Sequence, residues 1–308
     1  MAGRLAILCP GQGAQHPAMF DMARTDPAAS RLLEQWRADP ELGPTLQAGL
    51  GEERFRNRIA QPAIVAATLA MWRALQDTIA TPALVAGYSI GELSAYGVAG
   101  ALAPEDVIKL AIERARLMDA CVVDGAAQSM VALSGMPSGT VEGLLTSAGF
   151  YPAIVTGDDA LVAGGPAAQR EELARAAVAA GGHATVLPVA VASHTPLLAG
   201  AVAPFAALLA DARWQVPAFP ALSGITAEPV FDVAKALAEL PRQIAEPIRW
   251  RDCMDAMTEA GVTVALELGP GAALSKMLQS RNPNIACRSV TEFRSLDGIR
   301  AWLQRQLD

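Results

Sequence analysis

The chain is poor in the residues that usually mark metal, disulfide and membrane proteins. It has three histidines and four cysteines in 308 residues, and the cysteines are far apart with no Cys-x-x-Cys pair. This spacing favours buried free thiols over a metal site or a disulfide framework. No apolar run reaches the ~18 residues that a transmembrane helix needs. We therefore expect no bound metal, no disulfide and no membrane partner.

Positive charge is also scarce. The net charge is −7, and only three of the 24 basic residues are lysine. A negative balance argues against general nucleic-acid binding. Residues 1–8 lead straight into a glycine turn without the layout of a signal peptide, so we expect a cytoplasmic protein. At 52% hydrophobic residues, the chain can bury one large domain, or one domain that carries a smaller one.

Apolar runs alternate with helical patterns along most of the chain. Strands are expected at 5–9, 83–86 and 262–268. Helices are expected within 28–80, with breaks at Pro40, Pro44 and Pro62, and at 104–120, 197–210 and 249–260. Such alternation predicts an α/β fold with a mostly parallel sheet and with ligands at the strand ends.

The middle of the chain has a different order of predicted strands and helices. Strand and helix patterns follow one another as β-α-β-β-α-β between residues 125 and 190. This order is typical of a ferredoxin-like domain. We expect such a small domain at 125–190, inserted into a core built from 1–124 and 191–308.

A Gly-x-Ser-x-Gly motif is the most informative feature. It spans Gly87 to Gly91, with the buried strand before it and a helical pattern after it. A sharp strand-to-helix turn holds a serine oxygen out of the fold, and the flanking glycines make room for it. The helix N-terminus offers unpaired N–H groups to an oxyanion. Ser89 is therefore the candidate nucleophile of an acyl-transfer reaction.

A serine nucleophile needs a base, and the three histidines are the candidates. His194 follows a predicted strand, where its side chain can reach a cleft. His183 lies in a glycine turn, and His16 follows the first glycine turn. We assign the base to His194. No Asp or Glu stands out as a third member, so a backbone carbonyl is the expected partner of the imidazole.

Six segments in this order resemble the malonyl-CoA:acyl carrier protein transacylase family over nearly the whole chain. They are Pro10-Gly11-Gln12-Gly13, Gln61-Pro62-Ala63, Gly87-Tyr88-Ser89-Ile90-Gly91-Glu92, Glu113-Arg114-Ala115-Arg116-Leu117-Met118, Ser193-His194 and Glu267-Leu268-Gly269-Pro270-Gly271. The resemblance implies an α/β-hydrolase-like core with an inserted ferredoxin-like domain. It also implies malonyl-CoA as the substrate, an acyl carrier protein as the partner and no bound cofactor.

The same resemblance assigns roles to residues. Ser89 matches the nucleophile and His194 the base. Gln12 and Ile90 match the positions whose backbone N–H groups form the oxyanion hole. Arg114 matches the arginine that binds the malonyl carboxylate, and a guanidinium fork suits that task because it pairs with a carboxylate through two hydrogen bonds.

Gln61 and Tyr88 complete the expected site, and Arg116 is expected to lie outside it. Gln61 matches a position near the site and is given a structural role. Arg116 is expected on the helix surface. Tyr88 replaces the histidine that usually precedes the serine, so it is expected to change the wall of the acyl pocket.

Two departures from the family pattern bear on function. Arg249 stands before Trp250, where the family has glutamine or asparagine, and its backbone carbonyl is the expected partner of His194. The Gly-Tyr-Ser elbow is most like that of the malonyl transferase (epsilon) subunit of malonate decarboxylase, whose carrier subunit is then the expected acceptor.

Alternatives remain open at this level. A transacylase of fatty-acid or polyketide synthesis fits the same motifs. A thioesterase or lipase-type hydrolase would also use Gly-x-Ser-x-Gly. A catalytically silent subunit that docks a carrier protein is the alternative from another class.

Overall fold

The chain folds around two β-sheets. The computed structural model describes residues 3–48, 50–122 and 126–308. The strands of these ranges are β1 (Leu5–Cys9), β2 (Leu84–Gly87), β3 (Gln128–Ser134), β4 (Tyr151–Val155), β5 (Ala160–Pro166), β6 (His183–Leu187), β7 (Ala221–Leu222), β8 (Pro229–Val230), β9 (Val264–Glu267) and β10 (Ala286–Ser289). Their α-helices are α1 (Asp21–Arg24), α2 (Pro27–Ala38), α3 (Leu42–Ala48), α4 (Asn57–Leu75), α5 (Ile90–Val98), α6 (Pro104–Ala120), α7 (Ser138–Ala148), α8 (Arg170–Ala179), α9 (Val202–Asp211), α10 (Val233–Glu239), α11 (Trp250–Glu259), α12 (Ala273–Arg281) and α13 (Leu296–Leu307).

The larger sheet is parallel except at one edge. Its order over the described ranges is β10-β9-β1-β2-β7-β8, and the β7–β8 pair is the antiparallel one. Every residue of β1, β2 and β9 is buried. Helices cover both faces of a parallel sheet, which is why its strands are continuous apolar runs. The predicted α/β fold with a mostly parallel sheet is confirmed.

The carboxyl ends of β1, β2 and β9 meet at one edge of this sheet. β1 lies in the middle, with β2 on one side and β9 on the other. In a parallel sheet, a crevice forms at the carboxyl ends of two adjacent strands when the chain leaves those strands toward opposite faces of the sheet. The glycine turn after β1 and the Gly-x-Ser-x-Gly motif after β2 therefore lie side by side.

Two of the three expected helix breaks are absent. Pro40 separates α2 from α3 as predicted, but Pro44 lies inside α3 and Pro62 inside α4. A proline in a helix removes one backbone hydrogen bond and usually bends or ends the helix. Here α4 is buried along most of its length from Ala60 onward, and that packing maintains the helix through Pro62. Among the described helices, none combines the length and apolar character of a bilayer span.

The smaller sheet is antiparallel and belongs to residues 128–187. Its elements follow as β3-α7-β4-β5-α8-β6, and its strand order is β4-β5-β3-β6. A separate hydrophobic cluster joins this sheet to its two helices, and it includes Val131, Leu133, Val141, Leu145, Phe150 and Leu173. The expected domain boundary at 124/125 lies outside the described residues.

The edge strand β4 of the small sheet is tied to the larger part of the chain. The N–H of Val155 donates to the carbonyl of Ile248 at 2.8 Å, and the N–H of Ile248 donates to the carbonyl of Ala153 at 2.9 Å. These two bonds make a short parallel bridge between Ile154 and Ile248. The small sheet is thereby attached to the segment that leads into α11.

Candidate active site

Ser89 forms the turn between β2 and α5 with an unusual backbone conformation. Its φ of 56° and ψ of −120° lie in a region that residues other than glycine rarely adopt. Close packing requires the two flanking glycines. A Cβ at Gly91 would lie 2.0 Å from the carbonyl oxygen of Cys9, and one at Gly87 would lie 2.1 Å from the carbonyl carbon of Gly91. The local sequence therefore allows the elbow to sit directly on the end of β1.

His194 is the histidine that the structure places against Ser89. The Ser89 Oγ and His194 Nε2 atoms are 2.8 Å apart, and the imidazole is buried. On its other side, His194 Nδ1 lies 2.5 Å from the backbone carbonyl oxygen of Gln243. A carbonyl only accepts, so Nδ1 carries the proton and Nε2 is free to accept one from the serine hydroxyl. His183 is exposed on β6, and His16 lies in the loop after β1.

The electrostatic surroundings keep this imidazole neutral. Burial lowers the pKa of His194 to about 3, and the positive charge of Arg114 acts in the same direction. The hydrogen bond to the Gln243 carbonyl opposes both effects. At neutral pH the ring is therefore an unprotonated base.

Two backbone N–H groups flank the serine. Ile90 is the first residue of α5, and Gln12 lies in the turn after β1. That turn packs on the elbow, since a Cβ at Gly11 would lie 2.9 Å from the carbonyl oxygen of Tyr88 and 3.6 Å from the Cβ of Ser89. Within the described parts of the chain, neither the Gln12 nor the Ile90 N–H has a hydrogen-bond partner. Both remain available to an oxygen bound in front of Ser89.

Arg114 is a buried cation on α6, with 2% of its surface exposed. Its Nη1 donates to Gln61 Oε1 at 2.7 Å, and its Nη2 donates to Gln243 Oε1 at 3.0 Å. Gln61 is held in turn by Asn57, whose Oδ1 accepts from Gln61 Nε2 at 2.6 Å. Burial lowers the pKa of Arg114 to about 10, and the carboxylate of Glu92 opposes this shift.

No carboxylate of the described chain lies within 4 Å of the Arg114 guanidinium. Both of its hydrogen-bond partners are neutral amides. A buried cation without an ion pair favours binding of an anion. Arg116, two residues further along α6, is exposed and pairs with Glu113, as predicted for a surface arginine.

Gln243 is the site residue that the sequence does not reveal. It lies in a 3₁₀ turn, Arg242–Ile244, and its backbone carbonyl has the role that we expected of Arg249. That expectation is wrong, because Arg249 is the N-cap of α11 and its backbone carbonyl accepts from the N–H of Cys253 at 2.9 Å. A lone glutamine in a loop has no motif around it, and its contacts with His194 arise only from the tertiary fold.

Glu92 is a second residue whose place the sequence does not reveal. It lies on α5, one turn from Ser89, and is 1% exposed. Its Oε2 accepts from Gln243 Nε2 at 2.6 Å and from the N–H of Gly224 at 3.0 Å. Burial is the main cause that raises the pKa of Glu92 to about 7.

Tyr88 directly precedes Ser89 in the elbow. Its ring makes an edge-to-face contact with Trp250, with ring centroids 5.3 Å apart. Burial raises the pKa of its phenol well above the usual value. The ring thus packs between the elbow and the start of α11, and its contact with an acyl group stays a prediction.

A cleft of ≈ 970 Å³ opens beside Gln12, between the two parts of the chain. Asn57 and Asp119 border it on the side of the larger sheet, and Gln128 and Leu187 border it on the side of the smaller sheet. Gln12 is the site residue that borders this cleft.

An elbow serine, a neutral histidine, two N–H groups without a partner among the described residues and a buried arginine together suit the transfer of an acidic acyl group. The comparisons with known proteins agree with this class. The family model described as the acyl transferase domain matches residues 7–291. The chain belongs to this family.

Similar proteins extend over the same length. The malonyl CoA-acyl carrier protein transacylase of Haemophilus influenzae is 29% identical over 97% of this chain and 99% of its own. That of Mycobacterium bovis is 31% identical over 96% of this chain and 99% of its own. The crystal structure of FabD from Acinetobacter baumannii superposes with a TM-score of 0.90 at 26% identity, over 100% of this chain and 99% of that one. A chain from the structure of a type II polyketide acyl carrier protein in complex with its malonyl-transacylase superposes with a TM-score of 0.89 at 25% identity, over 98% of this chain and 99% of that one.

Proposed function

We propose that this protein is a malonyl-CoA:acyl carrier protein S-malonyltransferase. The observation that carries the proposal is Arg114, a buried guanidinium with no carboxylate partner in the described chain, one side chain away from Ser89 and His194. Malonyl-CoA carries a free carboxylate at the far end of its acyl group. An uncharged acyl group would leave the cation unpaired, so the site discriminates against it.

The first half-reaction forms a malonyl-serine ester. The malonyl carboxylate pairs with Arg114, and Ser89 Oγ attacks the thioester carbonyl carbon while His194 Nε2 takes the hydroxyl proton. The carbonyl oxygen becomes an oxyanion, which accepts from the N–H groups of Gln12 and Ile90. Collapse of this intermediate breaks the C–S bond, and His194 returns its proton to the departing CoA sulfur.

The second half-reaction runs the same steps with a new nucleophile. The thiol of the carrier arm attacks the ester carbonyl carbon, and His194 takes the thiol proton. The C–O bond to Ser89 breaks, and the proton returns to its Oγ. The overall reaction is ping-pong, and it conserves the thioester because water is kept away from the ester.

The acceptor is an acyl carrier protein of fatty-acid or polyketide synthesis. The relatives are transacylases by name, and one similar structure holds a polyketide carrier in complex with its malonyl-transacylase. The expectation of a malonate decarboxylase carrier rests on the Gly-Tyr-Ser elbow and the Gly-Glu-Leu-Ser-Ala-Tyr segment that follows it, and the comparisons favour the other acceptors. Tyr88, packed on Trp250, gives no contact that points to a particular arm.

The architecture fits this proposal. We infer an α/β-hydrolase-like core in 1–124 and 191–308 and a ferredoxin-like small domain in 125–190. The strand order β4-β5-β3-β6 and the element order of the small sheet support the second inference. The cleft between the two parts then receives the carrier arm.

Intact mass after brief mixing with malonyl-CoA tests the proposed function. A single malonyl adduct on the wild-type protein that is absent from Ser89→Ala supports the ester intermediate. Its loss on addition of a holo-carrier protein, with transfer of mass to the carrier, supports the transferase. CoA release with free malonate and no adduct would indicate a hydrolase. Carrier binding without an adduct or CoA release would indicate a docking subunit.

A further inference from the structure

We propose that Glu92 is a positioning residue for malonyl transfer. Its carboxylate decides which way the side-chain amide of Gln243 faces, and the amide in turn holds Arg114 and the Ser89 elbow in place. The inference rests on the proposed function, because it concerns how the same site selects an acidic acyl group.

The Gln243 side chain connects the parts of the site. Its Nε2 donates to the backbone carbonyl of Ser89 at 2.9 Å and to Glu92 Oε2 at 2.6 Å. Its Oε1 accepts from Arg114 Nη2 at 3.0 Å. Its backbone carbonyl accepts from His194 Nδ1. One residue therefore contacts the proposed nucleophile's backbone, the proposed base and the proposed carboxylate receptor.

The orientation of this amide needs a determinant. The oxygen and the NH₂ of a glutamine are nearly the same size, so packing alone does not distinguish the two orientations. Glu92 Oε2 accepts the N–H of Gly224, and a proton on Glu92 would lie on the unpartnered Oε1, so Oε2 requires the NH₂ of Gln243 on its side whether the carboxyl group is ionised or protonated. The amide oxygen is then directed at Arg114, which only donates. A flipped amide would face the guanidinium with its own N–H groups and lose the bond to the Ser89 carbonyl.

Glu92 is itself rigidly held for this task. Its Oε2 accepts the N–H of Gly224, and a Cβ at Gly224 would lie 2.6 Å from that oxygen. Its Oε1 is buried and has no partner among the described residues. Burying a carboxylate with half of its hydrogen-bonding capacity unused is costly, and a residue that only filled space would be apolar. The cost is consistent with a role in the site.

The ionisable groups around Glu92 come from several elements. They are Tyr96 on α5, Arg114 on α6, Glu239 on α10 and Cys253 on α11. Arg114 favours the ionised form of Glu92, and Glu239 disfavours it. The Gln243 and Gly224 hydrogen bonds also favour ionisation, against the effect of burial.

Two substitutions of Glu92 distinguish a role in hydrogen bonding from a role in filling the volume of the side chain. Glu92→Gln retains an oxygen that accepts from Gln243 and Gly224, with its NH₂ in place of the unpartnered Oε1. Glu92→Met fills similar space and accepts nothing. We expect E92M to lower kcat/KM for malonyl-CoA by about 10- to 100-fold and the malonyl-to-acetyl ratio of kcat/KM by about 10-fold. We expect E92Q to restore both values to within about threefold of wild type.

A double-mutant cycle tests whether Glu92 acts through the amide. Gln243→Met removes the amide, so adding E92M to Q243M is expected to change the malonyl-to-acetyl ratio by less than about twofold. Additive losses in the double variant would overturn the proposal, as would E92Q being impaired as much as E92M. Glu239→Gln is the matched control, since it neutralises a nearby buried acid that makes no hydrogen bond to Gln243. It is expected to leave the ratio unchanged.

A second variant of Glu92 covers the case in which E92M does not fold. If E92M does not fold by circular dichroism, Glu92→Asp replaces it, because the shorter carboxylate no longer reaches Gln243 and the same fall in the ratio is expected. An unchanged ratio in the folded variant overturns this inference while the malonyl-serine adduct of the wild-type protein still stands. Absence of that adduct in the wild-type protein defeats the proposed function instead.

Discussion

His194 Nδ1 donates to the backbone carbonyl of Gln243 at 2.5 Å, so the proposed base is oriented by the main chain rather than by a carboxylate. A backbone carbonyl fixes the tautomer but supplies no full negative charge. The positive charge of Arg114 disfavours the imidazolium form of His194 and so lowers its pKa. The base is therefore held neutral and ready to accept a proton, and its pH dependence should differ from that of an ordinary histidine.

Acylation of Ser89 should persist at mildly acidic pH. The pKa of His194 is lowered to about 3, so the reactive neutral form dominates from pH 7 down to pH 5. A histidine with the ordinary pKa near 6.5 would be only about 3% neutral at pH 5. Rapid-quench measurement of the malonyl-serine ester should give a rate at pH 5 at least about half of that at pH 7. A fall that follows a pKa near 6.5 would contradict this account of the base.

Replacing Arg114 should change acyl selectivity more than general reactivity. Arg114→Ala is expected to lower kcat/KM for malonyl-CoA by about 100-fold or more, with a much smaller effect on acetyl-CoA. Arg114→Lys keeps the charge but lacks the fork, so it should recover only part of the malonyl activity. Arg116→Ala, an exposed neighbour on the same helix, is the control. Equal losses for both acyl groups would exclude the carboxylate role.

Glu92 should make the protein less stable as pH rises. Its pKa is raised from 4.5 to about 7, so between these values the folded protein keeps a proton that the unfolded chain releases. The free energy of unfolding contributed by this group therefore falls as pH increases from 5 to 8, by up to about 3 kcal/mol. Glu92→Gln cannot titrate, and its free energy of unfolding should rise relative to wild type over this range. Urea titrations at pH 5 and pH 8 measure the difference, in which the contributions of His194 cancel.

Gly91 should be intolerant of any side chain. A Cβ there would lie 2.0 Å from the carbonyl oxygen of Cys9 and 2.8 Å from that of Pro10, both of them backbone atoms. Gly91→Ala is expected to cost at least about 3 kcal/mol of the free energy of unfolding, or to prevent folding. Gly143→Ala on α7, where the structure leaves open space, should instead stabilise the protein by up to about 1 kcal/mol. Thermal unfolding of the two variants makes the comparison, and a stable G91A protein would refute the packing argument.

Features set by neighbouring residues could be predicted from the sequence. The Ser89 elbow is a local strand-turn-helix pattern, and the apolar runs of β1, β2 and β9 predict a buried parallel sheet. The short distance between Ser89 and His194 agrees with the prediction that paired them, although their catalytic roles stay proposals.

Features set by the tertiary fold could not be predicted in this way. Pro62 was expected to break a helix, yet burial of α4 overrides its local preference. The partner of His194 was expected at Arg249, whereas a carbonyl six residues earlier is in reach. Any backbone carbonyl is chemically suitable, so only the path of the chain selects Gln243. The burial of Glu92 likewise depends on segments more than 130 residues away in sequence.

The bridge between Ile154 and Ile248 limits how the site can open. It fastens the edge strand of the small sheet to the chain five residues after Gln243 by two backbone hydrogen bonds. Rotation of the small sheet away from the larger one at this corner would break those bonds and pull on the turn that orients His194. The small sheet and the segment that carries the backbone partner of His194 are therefore mechanically coupled through these two hydrogen bonds.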